Sequence, residues 1–86
     1  MARVIVNNFL AEHIGEKAPA DNSELMIPAD DVRQLIRSLE HIFPSLVGKL
    51  AHGIAVAVDG EIHQDALLMD LDDDSEVFFI PAIEGG

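Results

Sequence analysis

Side chains that could do chemistry are present in this chain, but their spacing indicates neither a metal centre nor a catalytic site. His13, His41, His52 and His63 stand far apart, none of them in a His-x-x-x-His spacing, and no cysteine is available to complete a zinc site. The acidic run over residues 70–76 lacks the central glycine and the twelfth-position glutamate of a calcium-binding EF-hand. None of the serines sits in a nucleophile elbow. We therefore expect no metal and no independent enzyme.

The C-terminal end is the segment best suited to chemistry, because it finishes in two glycines. Without Cβ atoms, Gly85 and Gly86 can approach a ligand closely and adopt backbone conformations closed to other residues. Six extended residues, 81–86, span at most roughly 20 Å, which is enough to enter a buried site while a globular body stays outside. The pattern predicts two parts: a folded domain over residues 1–80 and a flexible, reactive tail over residues 81–86.

Composition limits the functions open to the chain. With 86 residues, 49% of them hydrophobic, it forms one globular domain. A formal net charge of -11 repels phosphates, so we expect no nucleic-acid partner. No apolar run approaches the roughly 20 residues of a membrane helix, so we expect no membrane partner. The absence of cysteine and of a signal-peptide pattern predicts a cytoplasmic protein.

The elements that must position the tail begin with two predicted strands. Residues 3–9 alternate in strand fashion, with Val4 and Val6 on one face and Ile5 on the other. A polar loop over residues 13–23 leads to a second strand over residues 24–27, giving an N-terminal hairpin.

The clearest predicted helix follows. Asp30 or Asp31 can cap its N-terminus by accepting from first-turn N–H groups, and Pro44 stops it. Apolar residues recur at spacings of three and four: Val32, Leu35, Ile36, Leu39, Ile42 and Phe43.

Three further strands are predicted after this helix. Residues 54–58 form the first, Asp59-Gly60 suits a tight turn, and residues 61–63 return as a short strand. Residues 77–80 form the last strand, which Pro81 ends. The segment before it is predicted to wrap around the domain on leucine anchors: Leu67, Leu68 and Leu71.

One amphipathic helix cannot bury its apolar stripe alone, and a mixed sheet curled over it solves that problem. The predicted class is therefore α+β, a ubiquitin-like β-grasp in which a mixed sheet packs on one main helix and a flexible Gly-Gly tail follows.

Several segments carry a resemblance to a known family. They are Phe43-Pro44-Ser45-Leu46 after the helix, Val58-Asp59-Gly60-Glu61 at the hairpin, Leu71 with the acidic turn up to Val77, and the last strand followed by Pro81 and Gly85-Gly86. The chain resembles the MoaD/ThiS family of ubiquitin-like sulfur carriers over essentially its whole length, and is most similar to the small subunit of molybdopterin synthase. It departs from the family pattern in having no glycine near Asp74-Ser75, and Pro81-Ala82 where many of those subunits have two prolines. The departures leave the sulfur pathway open.

The resemblance implies chemistry at the carboxyl group of Gly86, with Gly85 beside it. A carboxylate is a poor electrophile, so a ThiF-type adenylating enzyme would first convert it to an acyl-adenylate and a sulfur donor would then form a thiocarboxylate. ATP would be used by that partner, and no cofactor would be tightly bound to this chain. A larger catalytic subunit of the molybdopterin-synthase type would consume the sulfur.

Other functions share the same ending and stay open at this point. The chain could serve thiamine, cysteine or tRNA thiolation, or be a ubiquitin-like modifier joined to target lysines through Gly86. A third hypothesis is a binding module that uses the fold without its tail.

The last strand also predicts a docking surface. If Val77 and Phe79 point to the helix, their neighbours point to the outer face of the sheet, where an exposed apolar patch would suit a partner. The predicted partner-binding residues are Ile5, Phe78, Ile80, Pro81, Ala82 and Ile83.

Overall fold

The computed structural model describes residues 1–50, 54–64 and 67–82. Its strands are β1 (Ala2–Ile5), β2 (Glu24–Ile27), β3 (Ile54–Val58), β4 (Glu61–His63) and β5 (Glu76–Pro81). Its helices are α1 (Asn8–Ile14), α2 (Val32–Ile42) and a short 3-10 helix (Pro44–Leu46). No helix in these ranges is long and apolar enough to cross a membrane.

The strands form one mixed sheet in the order β2-β1-β5-β3-β4. The central pair, β1 and β5, is parallel, and the other neighbours are antiparallel. The first and last strands therefore lie side by side in the sheet, and β5 leads towards the C-terminus. The predicted mixed sheet is confirmed.

The core lies between one face of this sheet and the apolar side of α2. Val4, Val77 and Phe79 from the sheet and Leu35 and Leu39 from α2 are all completely buried in a single cluster. A helix that packs its stripe on a mixed five-stranded sheet is the predicted β-grasp, and this prediction is confirmed.

The first strand is shorter than predicted, because a helix begins within the predicted range of residues 3–9. β1 ends at Ile5, and Asn7 caps α1 by accepting a hydrogen bond from the Leu10 N–H at 2.9 Å. Leu10 and Ile14, four residues apart, are buried on the core side of α1. Gly15 ends the helix with a φ of +90°, a conformation that favours glycine. The predicted polar loop is thus replaced in its first part by α1.

The main helix agrees closely with its prediction. Asp31, the second of the two candidate caps, accepts from the Gln34 N–H at 2.8 Å, and Pro44 opens the 3-10 helix after α2. The predicted apolar stripe is wrong at Ile42, which is 51% exposed at the end of the helix.

The segment before β5 wraps around the start of α2, but only one of its three predicted leucine anchors is buried. Leu71 is buried, whereas Leu67 and Leu68 are 46% and 78% exposed. The backbone also holds this segment, because its carbonyls accept from N–H groups that the first turn of a helix leaves unpaired. The bonds run from Val32 N–H to the Met69 carbonyl at 3.0 Å and from Arg33 N–H to the Leu67 carbonyl at 2.9 Å.

The turn before β5 explains one departure from the family pattern, and the β3–β4 hairpin provides the contrast. At the β3–β4 hairpin, Asp59 and Gly60 have φ values of 50° and 88°, as predicted for a tight turn. Before β5, no residue from Asp72 to Ser75 has a positive φ. The Ser75 hydroxyl closes this turn by accepting from the Asp72 N–H at 2.8 Å. No glycine is required there.

Candidate functional site

The predicted tail begins at the end of β5, a central strand. The strand includes Pro81, one residue beyond its predicted end, and Pro81 lies opposite Ile54 of β3. Pro81 is exposed and Ala82 is partly buried. The predicted Ile83, Gly85 and Gly86 lie outside the described residues.

The position of Pro81 follows from the end of β1. The backbone N–H of Arg3 donates to the Ser75 carbonyl, and successive carbonyls along a strand point alternately to the two neighbouring strands. The backbone nitrogen and carbonyl of every second residue from Ser75 therefore face the β1 side, and Pro81 is one of these residues. Since β1 has already ended at Ile5, the missing N–H of Pro81 removes no ladder bond. Proline can thus close the strand without weakening its pairing with β3.

Successive side chains of β5 point to opposite faces of the sheet, as predicted. Val77 and Phe79 belong to the buried core. Phe78 and Ile80 are partly exposed and do not belong to it. The last strand therefore presents two apolar side chains on the outer face, directly before the tail.

Register extends this outer surface across the sheet. Phe78 lies opposite Ala57, and Ala57 lies opposite Ile62 on the edge strand β4. Ile80 lies opposite Ala55, which is buried although it is not part of the core cluster. Directly opposed residues of paired strands face the same side, so these side chains form one surface.

Ile5 joins the same surface from β1. Val4 pairs with Val77 in the parallel register, and one further step along both strands brings Ile5 beside Phe78. Ile5 is only 7% exposed and lies outside the core cluster, so neighbours on the outer face bury it. We call the following residues the outer apolar patch: Ile5, Ala57, Ile62, Phe78 and Ile80.

The structure therefore divides the predicted partner-binding residues into groups. It brings Ile5, Phe78 and Ile80 together in the outer apolar patch. Pro81 lies opposite Ile54, which packs against the core, so Pro81 belongs to the opposite face at the strand end. The predicted tail therefore begins directly after the patch residue Ile80, with Pro81 on the other face of the sheet.

Charged side chains beside the patch are mainly acidic. Arg3 contacts Glu24 at 3.4 Å and Glu76 at 3.7 Å, so its charge is balanced by two carboxylates. In a chain of net charge -11, this acidic rim would attract a partner surface that carries basic residues.

Asn7 is a residue that the sequence did not mark as part of the site. Its side-chain amide donates to the Phe79 carbonyl at 2.9 Å, while its oxygen caps α1. The first helix thereby touches β5 two residues before Pro81. The local signal was present, since an asparagine precedes apolar residues at helical spacing, Leu10 and Ile14.

The histidines in the described ranges do not form a metal centre. His13 packs on the Phe9 ring, with ring centroids 4.5 Å apart, and its Nδ1 lies 2.8 Å from the Phe9 carbonyl. His63 lies 3.7 Å from Glu61, and His52 falls outside the described residues. Across the described residues, no three His, Asp or Glu side chains come together as a ligand set.

Comparison with solved structures shows the same fold elsewhere. A chain of the crystal structure of the Amycolatopsis orientalis BexX/CysO complex superposes with a TM-score of 0.74 at 19% identity, covering 100% of both chains. The solution structure of small archaeal modifier protein 1 (SAMP1) from Methanosarcina acetivorans superposes with a TM-score of 0.72 at 21% identity, covering 99% of this chain and 95% of that one. At these identities, the likeness establishes the fold.

Comparison of sequences supplies the family. Among curated proteins no significant match was found. A family model described as the ThiS family matches residues 4–86. Members of this family are small carrier proteins rather than enzymes. Because the match spans nearly the whole sequence, the chain belongs to the ThiS family, that is, to the MoaD/ThiS-type ubiquitin-like sulfur carriers and modifiers.

Proposed function

We propose that this protein is a sulfur carrier whose working group is the carboxyl group of Gly86. The observation that carries the proposal is the position of β5. In a chain of the ThiS family, this central strand leads to a Gly-Gly end and carries an apolar patch beside the exit of the tail. A docking surface and a reach of roughly 20 Å for six extended residues are the two properties that a tethered reactive end requires.

The proposed reaction has two steps. The Gly86 carboxylate attacks the α-phosphate of ATP held by a ThiF-type adenylating enzyme, and pyrophosphate leaves. Sulfide then attacks the carbonyl carbon of the acyl-adenylate, AMP leaves, and a thiocarboxylate remains. The adenylating partner supplies ATP and its binding site, and this chain supplies the acyl group and the means to deliver it.

Docking is the second function that we assign to this chain. The outer apolar patch would rest on an apolar area of the adenylating enzyme, and the acidic side chains Glu24 and Glu76 would face basic residues around it. Pro81, Ala82 and Ile83 would then enter the channel that leads to the nucleotide. Burial of apolar area would supply affinity, and the charges would speed the encounter.

The pathway that we favour is molybdopterin synthesis, in which a larger catalytic subunit would take the sulfur from the thiocarboxylate. Carriers for thiamine, cysteine or tRNA thiolation share the same terminal chemistry. A modifier would use the same acyl-adenylate but pass it to a lysine amine of a target.

Reconstitution with the host's adenylating enzyme, ATP and sulfide tests the proposal by intact-mass measurement. We expect a mass increase equal to the replacement of one oxygen by sulfur at Gly86, and no increase for a chain that lacks Gly86. The control variant Leu68→Ala, on an exposed side chain away from the patch, should be converted like the wild type. Failure to form any adenylate or thiocarboxylate, under conditions that modify a known carrier, would overturn the proposal.

A search of the native cell separates carrier from modifier. A thiocarboxylate on the protein itself supports sulfur transfer. Gly-Gly remnants on lysines of other proteins, with no thiocarboxylate on this chain, would assign it to protein modification instead.

A further inference from the structure

We propose that Asn7 is a positioning residue that holds the base of the tail and so fixes the direction in which the tail leaves the domain. The proposal rests on the function assigned above, because the direction of the tail matters only if its end is delivered to a partner. Asn7 lies 72 residues from Phe79 in sequence, yet its amide reaches the Phe79 carbonyl at 2.9 Å.

Both polar groups of the Asn7 side chain form hydrogen bonds. The oxygen accepts from the Leu10 N–H at 2.9 Å and starts α1, and the NH₂ group donates to Phe79. Asn7 is partly buried, so this donor lies in an environment where a lost hydrogen bond is not fully replaced by water. A cap alone would need only the oxygen. Aspartate or serine would then serve equally well.

The strand ladder shows why the Phe79 carbonyl needs this donor. The Ser75 carbonyl accepts from Arg3 of β1, and alternation directs the Phe79 carbonyl to the same side. β1 ends at Ile5, and its parallel pairing with β5 runs from Arg3 opposite Glu76 to Val4 opposite Val77. The Phe79 carbonyl therefore lies beyond the end of β1. Asn7 takes the place of the missing strand.

The base of the tail is thus held from two sides. On one side, β3 pairs with β5 up to Ile54 opposite Pro81. On the other side stands Asn7, and Pro81 has no N–H with which to continue a ladder. Without Asn7, the last residues of β5 would be anchored by β3 alone, and they would fray like other strand ends.

Fraying at this point acts on the far end of the tail. A shift of the base displaces the point from which only six residues must reach the nucleotide, and misplacement of a reacting group by about 1 Å can cost roughly 100-fold in rate. The docked body keeps its contacts, because the outer apolar patch does not include Asn7. Loss of Asn7 should therefore lower the turnover number for adenylation without raising the KM for this protein.

The test compares Asn7→Asp with the matched variant Asp31→Asn. Aspartate and asparagine cap helices about equally well, so both variants keep a capped helix. Only Asn7→Asp removes the donor to Phe79, whereas Asp31 lies at the start of α2 and accepts from Gln34. Asn7→Ser, which retains a capping oxygen on a shorter side chain, is the second variant if Asn7→Asp folds poorly.

Two measurements are made on each variant at a temperature at which it is folded. Amide hydrogen exchange at Ile80, which lies opposite Ala55 in the ladder, reports opening of the tail base and needs no partner. Pyrophosphate release with the adenylating enzyme gives kcat and KM. For Asn7→Asp we expect faster exchange at the Ile80 amide, a kcat lowered about tenfold and a KM within about twofold of the wild type, whereas Asp31→Asn should change neither the exchange nor kcat.

The outcomes distinguish a failure of the role of Asn7 from a failure of the proposed carrier function. Unchanged exchange at Ile80, or an unchanged kcat, would overturn the role of Asn7 and leave it a helix cap. A wild-type chain that is never adenylated would overturn the proposed function, while faster exchange in Asn7→Asp would still support Asn7 as the anchor of this strand end.

Discussion

Phe78 and Phe79 are adjacent in the sequence, but their rings lie on opposite faces of the sheet. Phe79 is completely buried in the core that β1, β3, β5 and α2 share. Phe78 is partly exposed on the outer face, opposite Ala57. One step along β5 therefore separates a side chain that holds the domain together from one that is free to meet a partner.

Substitution of these two residues should lower the stability of the domain to very different extents. Phe79→Ala leaves a cavity in a fully buried site, and we expect the free energy of unfolding to fall by about 3–5 kcal/mol. Phe78→Ala removes partly solvated area, and we expect a loss of about 1 kcal/mol or less. Urea unfolding followed by circular dichroism measures both. Equal losses would contradict the assignment of the two faces.

The sequence was sufficient for the parts of the fold that rest on local periodicity. The alternation of Val77, Phe78 and Phe79 predicted that successive side chains point to opposite faces, although it left open which face is buried, and the spacing of Leu35 and Leu39 predicted the buried side of α2. These predictions succeed because the side-chain directions of strands and helices are set by backbone geometry. Membership of the MoaD/ThiS family, inferred from short motifs, is also confirmed by the family match over residues 4–86.

The failures occur where one pattern has two interpretations. Alternation from Arg3 to Ile5 continues into residues that also suit a helix, and Asn7 decides the outcome because its oxygen can cap. Leu67 and Leu68 were predicted as anchors from hydrophobicity alone, but the backbone of that segment bonds to α2.

Part of the candidate site could not be predicted, because it depends on long-range contacts. The bond between Asn7 and Phe79 joins residues from opposite ends of the sequence. No periodicity within either segment signals that bond. The order of β1 and β5 in the sheet creates it, since this order places the end of β1 beside the exit of the tail.

Removal of the α2 cap should destabilise the domain. Asp31→Ala deletes the acceptor of the Gln34 N–H, and we expect the free energy of unfolding to fall by about 1 kcal/mol, within the range of about 0.5–2 kcal/mol for such caps. Asp30→Ala is the matched control, because the hydrogen bonds of Asp30 to Gln34 and Leu71 use its backbone. An equal loss in both variants would show that charge near the helix start matters more than the cap.

Asp73 should titrate at lower pH than an ordinary aspartate. The terminal ammonium of Met1 donates a hydrogen bond to it at 2.7 Å and attracts its negative charge, and these two effects lower the pKa of Asp73 below the usual 3.8. A carboxyl group whose pKa is lowered on folding stabilises the folded state above its unfolded pKa. That contribution is lost as the pH falls through the folded pKa. We therefore expect a weak loss of stability below pH 3.8.

Nuclear magnetic resonance titration of the Asp73 carboxyl carbon measures this shift. The pair is exposed, so salt should move the midpoint back towards the ordinary value. Asp73→Asn should remove this part of the acid sensitivity, and Asp74→Asn, at the next position in the same turn, should retain it. An ordinary midpoint at low salt would exclude the ion pair in solution.

Docking through the outer apolar patch predicts a change in KM that stability does not explain. Phe78→Ala removes the aromatic side chain at the centre of the patch, and truncation of a central interface residue often costs more than 1 kcal/mol of binding energy. We expect the KM for adenylation to rise about tenfold while kcat stays within about twofold, because the tail and its base are unchanged. Leu68→Ala, which removes an exposed apolar side chain outside the patch, should alter neither constant.

Salt provides an independent test of the same surface. If acidic side chains around the patch attract a basic partner, added salt should raise the KM of the wild type. Glu24→Gln with Glu76→Gln should weaken this dependence and leave Arg3 without its two carboxylate partners. A KM insensitive to both salt and Phe78→Ala would mean that the partner meets another face of the domain. The tail would then have to bend around the end of β5, rather than continue along it, to reach the nucleotide.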